Sequence, residues 1–268
     1  MNAFERTELL VGSADYERLQ QASFCLVGLG GVGSHAAEAV ARCGVGHLTL
    51  IDFDEVCLSN INRQLHATHH TLGRAKTQLM AERVGAINPA AEVRVRQTRV
   101  DANNIDAVLD RPYDYLLDCI DDTEAKIDLL EACFRRRQSV IASMGAAGRM
   151  DPTRVRVSDL SLTRKDPLAK LVRDQLRQRG ITEGIDCVWT DEPSEPSHLQ
   201  SIDGQPKRVR GTVSWMPAIF GLVMAGAAIN SILGRRLDDG RRPHLRLSPS
   251  PGKPSKKRKK ELLRQGGF

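Results

Sequence analysis

The chain has 268 residues, of which 41% are hydrophobic and 4% aromatic. That is enough to bury a large core as one domain with embellishments, but too few aromatic rings for the base-stacking platforms of RNA-binding sheets. The net charge of +6 is confined to one end: between 249 and 268, Lys253, Lys256, Lys257, Arg258, Lys259, Lys260 and Arg264 face Glu261 alone and supply the whole excess. Residues 4–21 read as a short helical segment packing on the domain through Leu9, Leu10, Val11, Tyr16 and Leu19. Ser23 to Val27 is an apolar run that reads as a buried parallel strand. It enters Gly28-Leu-Gly30-Gly31-Val-Gly33, and a small-residue helix follows from Ser34 to Arg42.

Strand, glycine turn and helix form the context in which Gly-x-Gly-x-x-Gly carries meaning. Gly28 permits the tight turn, Gly30 lets a phosphate approach the backbone, and Gly33 lets the helix pack closely on the strand. The free N–H groups of that helix start favour an anion. The next strand, His47 to Asp52, ends in an acid 19 residues past Gly33, where a ribose-binding carboxylate sits in such a unit.

After Asp52 comes a polar loop to Leu65, with too many amides and charges for a core. A helix is predicted over Leu72–Ile87, stopped by Asn88-Pro89. Ala91–Val100 alternates like a strand, and Tyr113–Ile120 reads as another. Asp121-Asp122-Thr123 opens a helix to about Gln138, and Ser139–Ser143 is a further strand. Alternating strands and helices predict an α/β fold with a doubly wound, mostly parallel Rossmann-like sheet.

Beyond Gly148 a smaller C-terminal extension begins. Thr153–Ser158 reads as a strand with one wet face, Asp166–Arg179 as an amphipathic helix, and Asp186–Trp189 as a short strand. Residues 191–208 are rich in Pro, Ser and Gln and are expected to be mobile. Residues 211–233 carry no charge. By length, 212–233 qualifies as a membrane span, but its small residues and Asn230 favour a buried central helix. The expected layout is one domain over 1–235 and a disordered basic tail over 236–268.

The N-terminal 22 residues are charged and polar, and the six cysteines form no Cys-x-x-Cys pair. Both features predict a reducing, cytoplasmic setting and no structural zinc. Cys25, Cys43, Cys119 and Cys133 read as small buried hydrophobes. Neither Cys57 nor Cys187 is convincing as a catalytic group.

A nicotinamide cofactor needs little beyond the glycine loop and Asp52. A nucleoside triphosphate needs cations and usually Mg²⁺. Arg63, Gln64, Lys76, Asp118, Asp121 and Asp122 cluster in sequence at successive strand ends, the edge where ligands bind in open α/β sheets. The set predicts ATP rather than NAD.

Together, Gly28-Leu-Gly-Gly-Val-Gly33, Asp52-Phe-Asp54, Ser59-Asn60-x-x-Arg63-Gln64, Lys76 and Asp118-x-x-Asp121 resemble the adenylating domain of the ubiquitin-activating enzyme superfamily, of the HesA/MoeB/ThiF type. The resemblance covers about residues 6–235. Four further stretches are similar to its tRNA-modifying dehydratase branch: Arg6-Thr-Glu-Leu-Leu10, Ile61-Asn-Arg-Gln-Leu-His66, Ala146-Ala-Gly148 with Asp151-Pro152, and Asp166-Pro-Leu168. The resemblance implies that a carboxylate is activated by adenylation, with ATP and Mg²⁺ as cofactors. Gly30 and Gly31 would approach the phosphates, and Asp52 would hold the ribose. Asn60, Arg63, Gln64 and Lys76 would bind the triphosphate, with Asp54 and Asp118 in the nucleotide site, and Asp121 would position Mg²⁺. It also implies a homodimer in which Arg6 reaches the other subunit's triphosphate.

The expected substrate is tRNA, with ring closure of a carboxylate-bearing modified adenosine. The alternative is activation of a ubiquitin-like sulfur carrier, or partnership in a sulfur relay. Relatives of that kind often carry two Cys-x-x-Cys pairs, which this chain lacks. No DNA or membrane partner is expected, and the basic tail is expected to attract RNA phosphates.

Overall fold

A computed structural model of the chain describes residues 2–202 and 205–235; the tail expected at 236–268 lies outside the described residues. Seven strands form the main sheet: β1 Ser23–Val27, β2 His47–Ile51, β3 Glu92–Arg96, β4 Tyr115–Asp118, β5 Val140–Ser143, β6 Val155–Asp159 and β7 Asp186–Thr190. Their order is β3-β2-β1-β4-β5-β7-β6. All neighbouring pairs are parallel except β6 with β7. The doubly wound, mostly parallel sheet expected from the alternation is therefore what forms. The chain runs outward from β1 to β3 and then returns to β4 on the other side of β1. That reversal opens a crevice at the carboxyl ends of β1 and β4, where ligands bind in such sheets.

Strand residues alternate between two cores, as a sheet covered on both faces requires. Phe24, Leu26, Leu48, Leu50, Tyr115 and Leu117 face one core, beneath α3 Gly33–Arg42, α4 Lys76–Ile87 and α8 Trp215–Ile232. Cys25, Val27, Ile51 and Leu116 face the other, beneath α5 Ile105–Val108, α6 Thr123–Arg136 and α7 Pro167–Gln178. The uncharged segment is thus a helix lying on the sheet, against α3 and β4 to β7. Its small residues have a purpose: a Cβ on Gly221 would run into the Val32 carbonyl oxygen of α3.

The N-terminal segment differs from expectation. It is two helices, α1 Glu5–Val11 and α2 Ser13–Gln21, divided at Gly12, whose φ of 91° no other residue adopts easily. Tyr16 and Leu19 of α2 join the core, but α1 buries no residue, and Leu9 and Leu10 are 79% and 77% exposed. The helix expected from Leu72 starts at Lys76 instead. Residues 72–74 form a turn, with Gly73 at φ 75° and the Arg74 N–H on the Thr71 carbonyl, and the chain is then held at Ala75 by a bridge to Glu55 and by the Val56 N–H on the Arg74 carbonyl. The strand expected to Val100 ends at Arg96. Residues 191–208, expected to be a mobile loop, contain an antiparallel hairpin, β8 His198–Ile202 and β9 Gln205–Val209.

The β6–β7 edge pairs Asp159 with Asp186. Asp159 is spent on the Ser161 and Gly184 N–H groups, at 2.8 and 2.6 Å. Burial and the Asp159 charge push the Asp186 carboxyl up to about 7. Between its ordinary value near 4 and about 7, the folded chain holds a proton that the unfolded chain releases. The associated stability is complete below pH 4 and is lost as pH rises through 7. Asp186→Asn should match the parent near pH 4 and exceed it at pH 8 by on the order of 4 kcal/mol. Urea denaturation at the two pH values checks this; an unchanged difference would show that Asp186 titrates normally.

Candidate active site

The crevice is floored by the turn from β1 into α3. Gly28 has φ 87°, and a Cβ there would stand 2.7 Å from the Cys119 carbonyl oxygen at the end of β4. The turn therefore packs directly on the β4 edge. Val32 gives α3 no side-chain cap; the Ser34 N–H is already on the Gly30 carbonyl at 3.0 Å, and the other N–H groups of the turn and helix start suit an anion. Above Gly30, the nearest atom to a would-be Cβ is Gln64 Nε2 at 3.7 Å, and Arg63 Cγ stands 3.3 Å from the equivalent point on Gly31. The loop after β2 thus folds back over the glycines. Asn60 and Gln64, expected in an open polar loop, are buried. Asn60 Oδ1 accepts the Cys57 N–H, while Gln64 Oε1 is buried with no partner among the described residues. Arg63 Nη1 rests on the Ser59 carbonyl oxygen at 2.7 Å and on Asn62 Oδ1 at 3.0 Å.

Five carboxylates gather at this edge, and their partners separate them. Asp52 accepts the Leu29 N–H at 2.6 Å and the Asp54 N–H at 2.8 Å, which ties the end of β2 to the glycine turn. Burial nevertheless raises its pKa. Asp54 binds Lys76 Nζ at 2.7 Å and orients that buried lysine, the first residue of α4. Asp122 caps α6 through the Glu124 and Ala125 N–H groups and pairs with Arg99 at 2.5 Å.

Asp118, expected in the nucleotide site, is enclosed. It and Lys126 are both 0% exposed and paired at 2.6 Å, and Asp118 also accepts the Ile120 N–H. Enclosed in this way, it braces the turn that follows β4. Sequence reasoning misses Lys126, because a lysine in a helix usually faces water. Its spacing to Leu129, Leu130 and Cys133 places it on the buried stripe, and that is the available signal.

Asp121 is the carboxylate left over. It is exposed and makes no hydrogen bond or ion pair among the described residues. Arg6, on the exposed α1, lacks a partner in the same sense. Its proposed target belongs to a second subunit.

Of the cysteines, Cys25 and Cys133 are fully buried, whereas Cys43 and Cys119 are half-buried. Cys57 is exposed near Ser59. Cys187 is sealed inside β7, where burial and Asp186 drive its thiol well above the ordinary range. A thiol so placed is a poor nucleophile. Cys187→Ser should lose about 1–3 kcal/mol of stability to the buried hydroxyl yet keep most of its turnover per folded molecule. Steady-state rates normalised to folded protein test this, and a trapped thioester at Cys187 would contradict it.

Residues 4–254 match the ThiF family. The chain belongs to that family. It is 47% identical over 236 residues to the tRNA threonylcarbamoyladenosine dehydratase of Haemophilus influenzae, covering 82% of this chain and 88% of the relative. The Escherichia coli tRNA N6-threonylcarbamoyladenosine dehydratase, solved in complex with ATP, superimposes with a TM-score of 0.78 at 36% identity. That match covers 86% of this ThiF-family chain and 93% of the other. A more distant relative is the Drosophila persimilis adenylyltransferase and sulfurtransferase MOCS3. It is 34% identical over 219 residues, spanning 81% of this chain but 42% of the relative.

Proposed function

We propose that this ThiF-family chain adenylates the carboxylate of N6-threonylcarbamoyladenosine in tRNA and closes it, with loss of water, to a cyclic product. The observation that carries this reading is the uncapped start of α3 behind Gly30 and Gly31, with Arg63, Gln64 and Lys76 set around it. The near-complete match to relatives named for that activity supplies the substrate.

A carboxylate is already ionised at neutral pH, so its attack on the α-phosphorus of ATP needs no general base. It needs alignment and neutralisation of the charge that builds toward pyrophosphate. The α3 N–H groups and Gln64 orient the phosphates, and Arg63 and Lys76 meet the developing charge. Asp52 holds the ribose hydroxyls. Mg²⁺ suits Asp121, because this metal is usually held by one or two carboxylates together with substrate phosphates, and there it would offset triphosphate charge. The ureido group then attacks the activated carboxyl within the same molecule, breaking the acyl–phosphate bond with release of AMP and giving up its proton to solvent, which is fast without a covalent enzyme intermediate. The buried Cys187 agrees with a route that uses no thioester.

The exposed Leu9 and Leu10 beside Arg6 suit a homodimer in which α1 reaches the neighbouring site. The basic segment 249–268 supplies sequence-independent attraction for tRNA, and the cytoplasm is where such a substrate is met. The similarity to MOCS3 keeps one competitor, adenylation of a sulfur-carrier protein's C-terminus.

The deciding experiment offers the purified protein ATP, Mg²⁺ and bulk tRNA, then weighs the nucleosides. Loss of one water from threonylcarbamoyladenosine is expected. ATP consumption that depends on a small carrier protein, with tRNA unchanged, would favour the competitor.

A further inference from the structure

Away from the glycine turn, Arg149 is 2% exposed, yet its Nε and Nη1 find no hydrogen-bond acceptor among the described residues. A buried guanidinium is expensive unless its donors are used. The two carboxylates that act on it are already committed. Asp166 accepts the Ala169 and Gly145 N–H groups at 3.0 and 3.2 Å, and Glu192 accepts those of Met150 and Asp151 at 3.0 Å.

Beside Arg149 lies a cleft of about 550 Å³, whose lining includes Lys165, Ser194, Glu195 and Arg210. The chain next to Arg149 joins both walls. The Gly148 N–H donates to the Gly211 carbonyl at 2.8 Å, and the Gly148 carbonyl accepts the Glu195 N–H at 2.9 Å. Lys165 and Arg210 are exposed and form no ion pair among the described residues. Lys165 is also held at φ 60°, a left-handed conformation that L side chains rarely adopt. The residues from Gly145 to Gly148 leave the carboxyl end of β5, so the cleft opens on the same sheet edge as the nucleotide crevice.

We propose that this cleft is a phosphate subsite for RNA, in which Lys165 and Arg210 take backbone phosphodiesters next to the nucleotide being modified, and the buried charge of Arg149, one residue behind the wall at Gly148, adds to the positive potential. The inference rests on the tRNA reading above and adds where the RNA lies. The triphosphate is not the occupant, because Arg63, Lys76 and the start of α3 already serve it. Glu195 is the acid on the lining, and it is held through its backbone rather than paired with either cation.

The test uses the full-length protein and two RNA probes, bulk tRNA and a seven-nucleotide oligouridylate, which carries phosphodiesters but no modified base. Lys165→Asn keeps a residue that tolerates the left-handed backbone and removes the charge. Arg210→Ser removes an exposed charge, and Arg149→Gln removes the buried one. Each should weaken binding of both RNAs and leave ATP affinity unchanged. Lys165→Asn and Arg210→Ser should each lower the slope of log affinity against log salt by about 0.7, the loss of one single-strand phosphate contact. Arg149→Gln risks the fold, so the two surface variants decide.

Wild-type RNA affinity and salt slope in both surface variants would overturn the proposal, even if tRNA turnover proceeds. Equal loss of ATP binding would assign the cleft to the triphosphate and also overturn it. If the variants weaken oligouridylate binding while the wild type leaves tRNA unmodified, the cleft stands and the dehydratase reading falls.

Discussion

Asp121→Ala is expected to abolish adenylation while leaving the fold intact. The side chain is exposed and bonded to nothing among the described residues, so its removal costs no packing and orphans no donor. Its neighbours at the sheet edge cannot replace it. Asp118 is locked to Lys126, Asp122 to Arg99 and its own helix, and Asp54 to Lys76. Loss of one preorganised electrostatic contact in a closed site typically costs on the order of 10²–10³ in kcat, and, on the proposal that Asp121 holds Mg²⁺, its loss should reach at least the upper end. ATP-dependent pyrophosphate exchange measures the step, and a thermal melt confirms the fold. Near-normal exchange would place the metal and the chemistry elsewhere. A mixture of Asp121→Ala with Arg6→Ala adds the subunit question. If each site borrows Arg6 from its partner, hybrid dimers carry one intact site and recover activity, whereas two separately inactive variants that stay inactive when mixed would refute sharing.

Lys126→Met is expected to be the most destabilising single change near the site. It leaves the Asp118 carboxylate uncompensated with no access to water. Breaking a buried pair from one side costs about 3–5 kcal/mol, whereas replacing both charges is often nearly neutral. Asp118→Asn with Lys126→Met should therefore recover most of the loss, since the amide oxygen of the substituted side chain can still accept the Ile120 N–H. Denaturant midpoints of the single and double variants provide the comparison. If the double variant is no better than Lys126→Met, the lysine acts through packing rather than charge. Burial raises the Asp118 pKa even with Lys126 in place, so the single variant should respond to burial alone by taking up a proton, and its deficit should narrow below neutral pH.

The sheet and the position of the crevice were legible in the sequence, because both follow from local pattern. Apolar runs such as Phe24–Val27 and Leu116–Leu117 define buried parallel strands, and a glycine turn after the first of them can face only one edge of the sheet. The spacing of Asp52 and Arg63 to that turn could be read for the same reason, since both follow a strand that the pattern already placed, and Lys76 fell within a helix the pattern placed, though not at its start. The buried character of 211–233 was also readable, from small residues at close spacing. What local pattern could not reveal was which charges neutralise one another. Asp118, Asp121 and Asp122 look alike along the chain. They become a buried strut, an exposed free carboxylate and a helix cap only when Lys126 and Arg99 arrive from other elements. The start of α4 at Lys76 and the exposure of Leu9 and Leu10 on α1, of which only Val11 packs against the core, were decided in the same way, by the Glu55–Ala75 bridge and by the turn at Gly12. Helix propensity at Leu72 or Leu9 carries no information about either contact. Burial and ion pairing depend on where distant segments meet in space, and only the tertiary structure sets that.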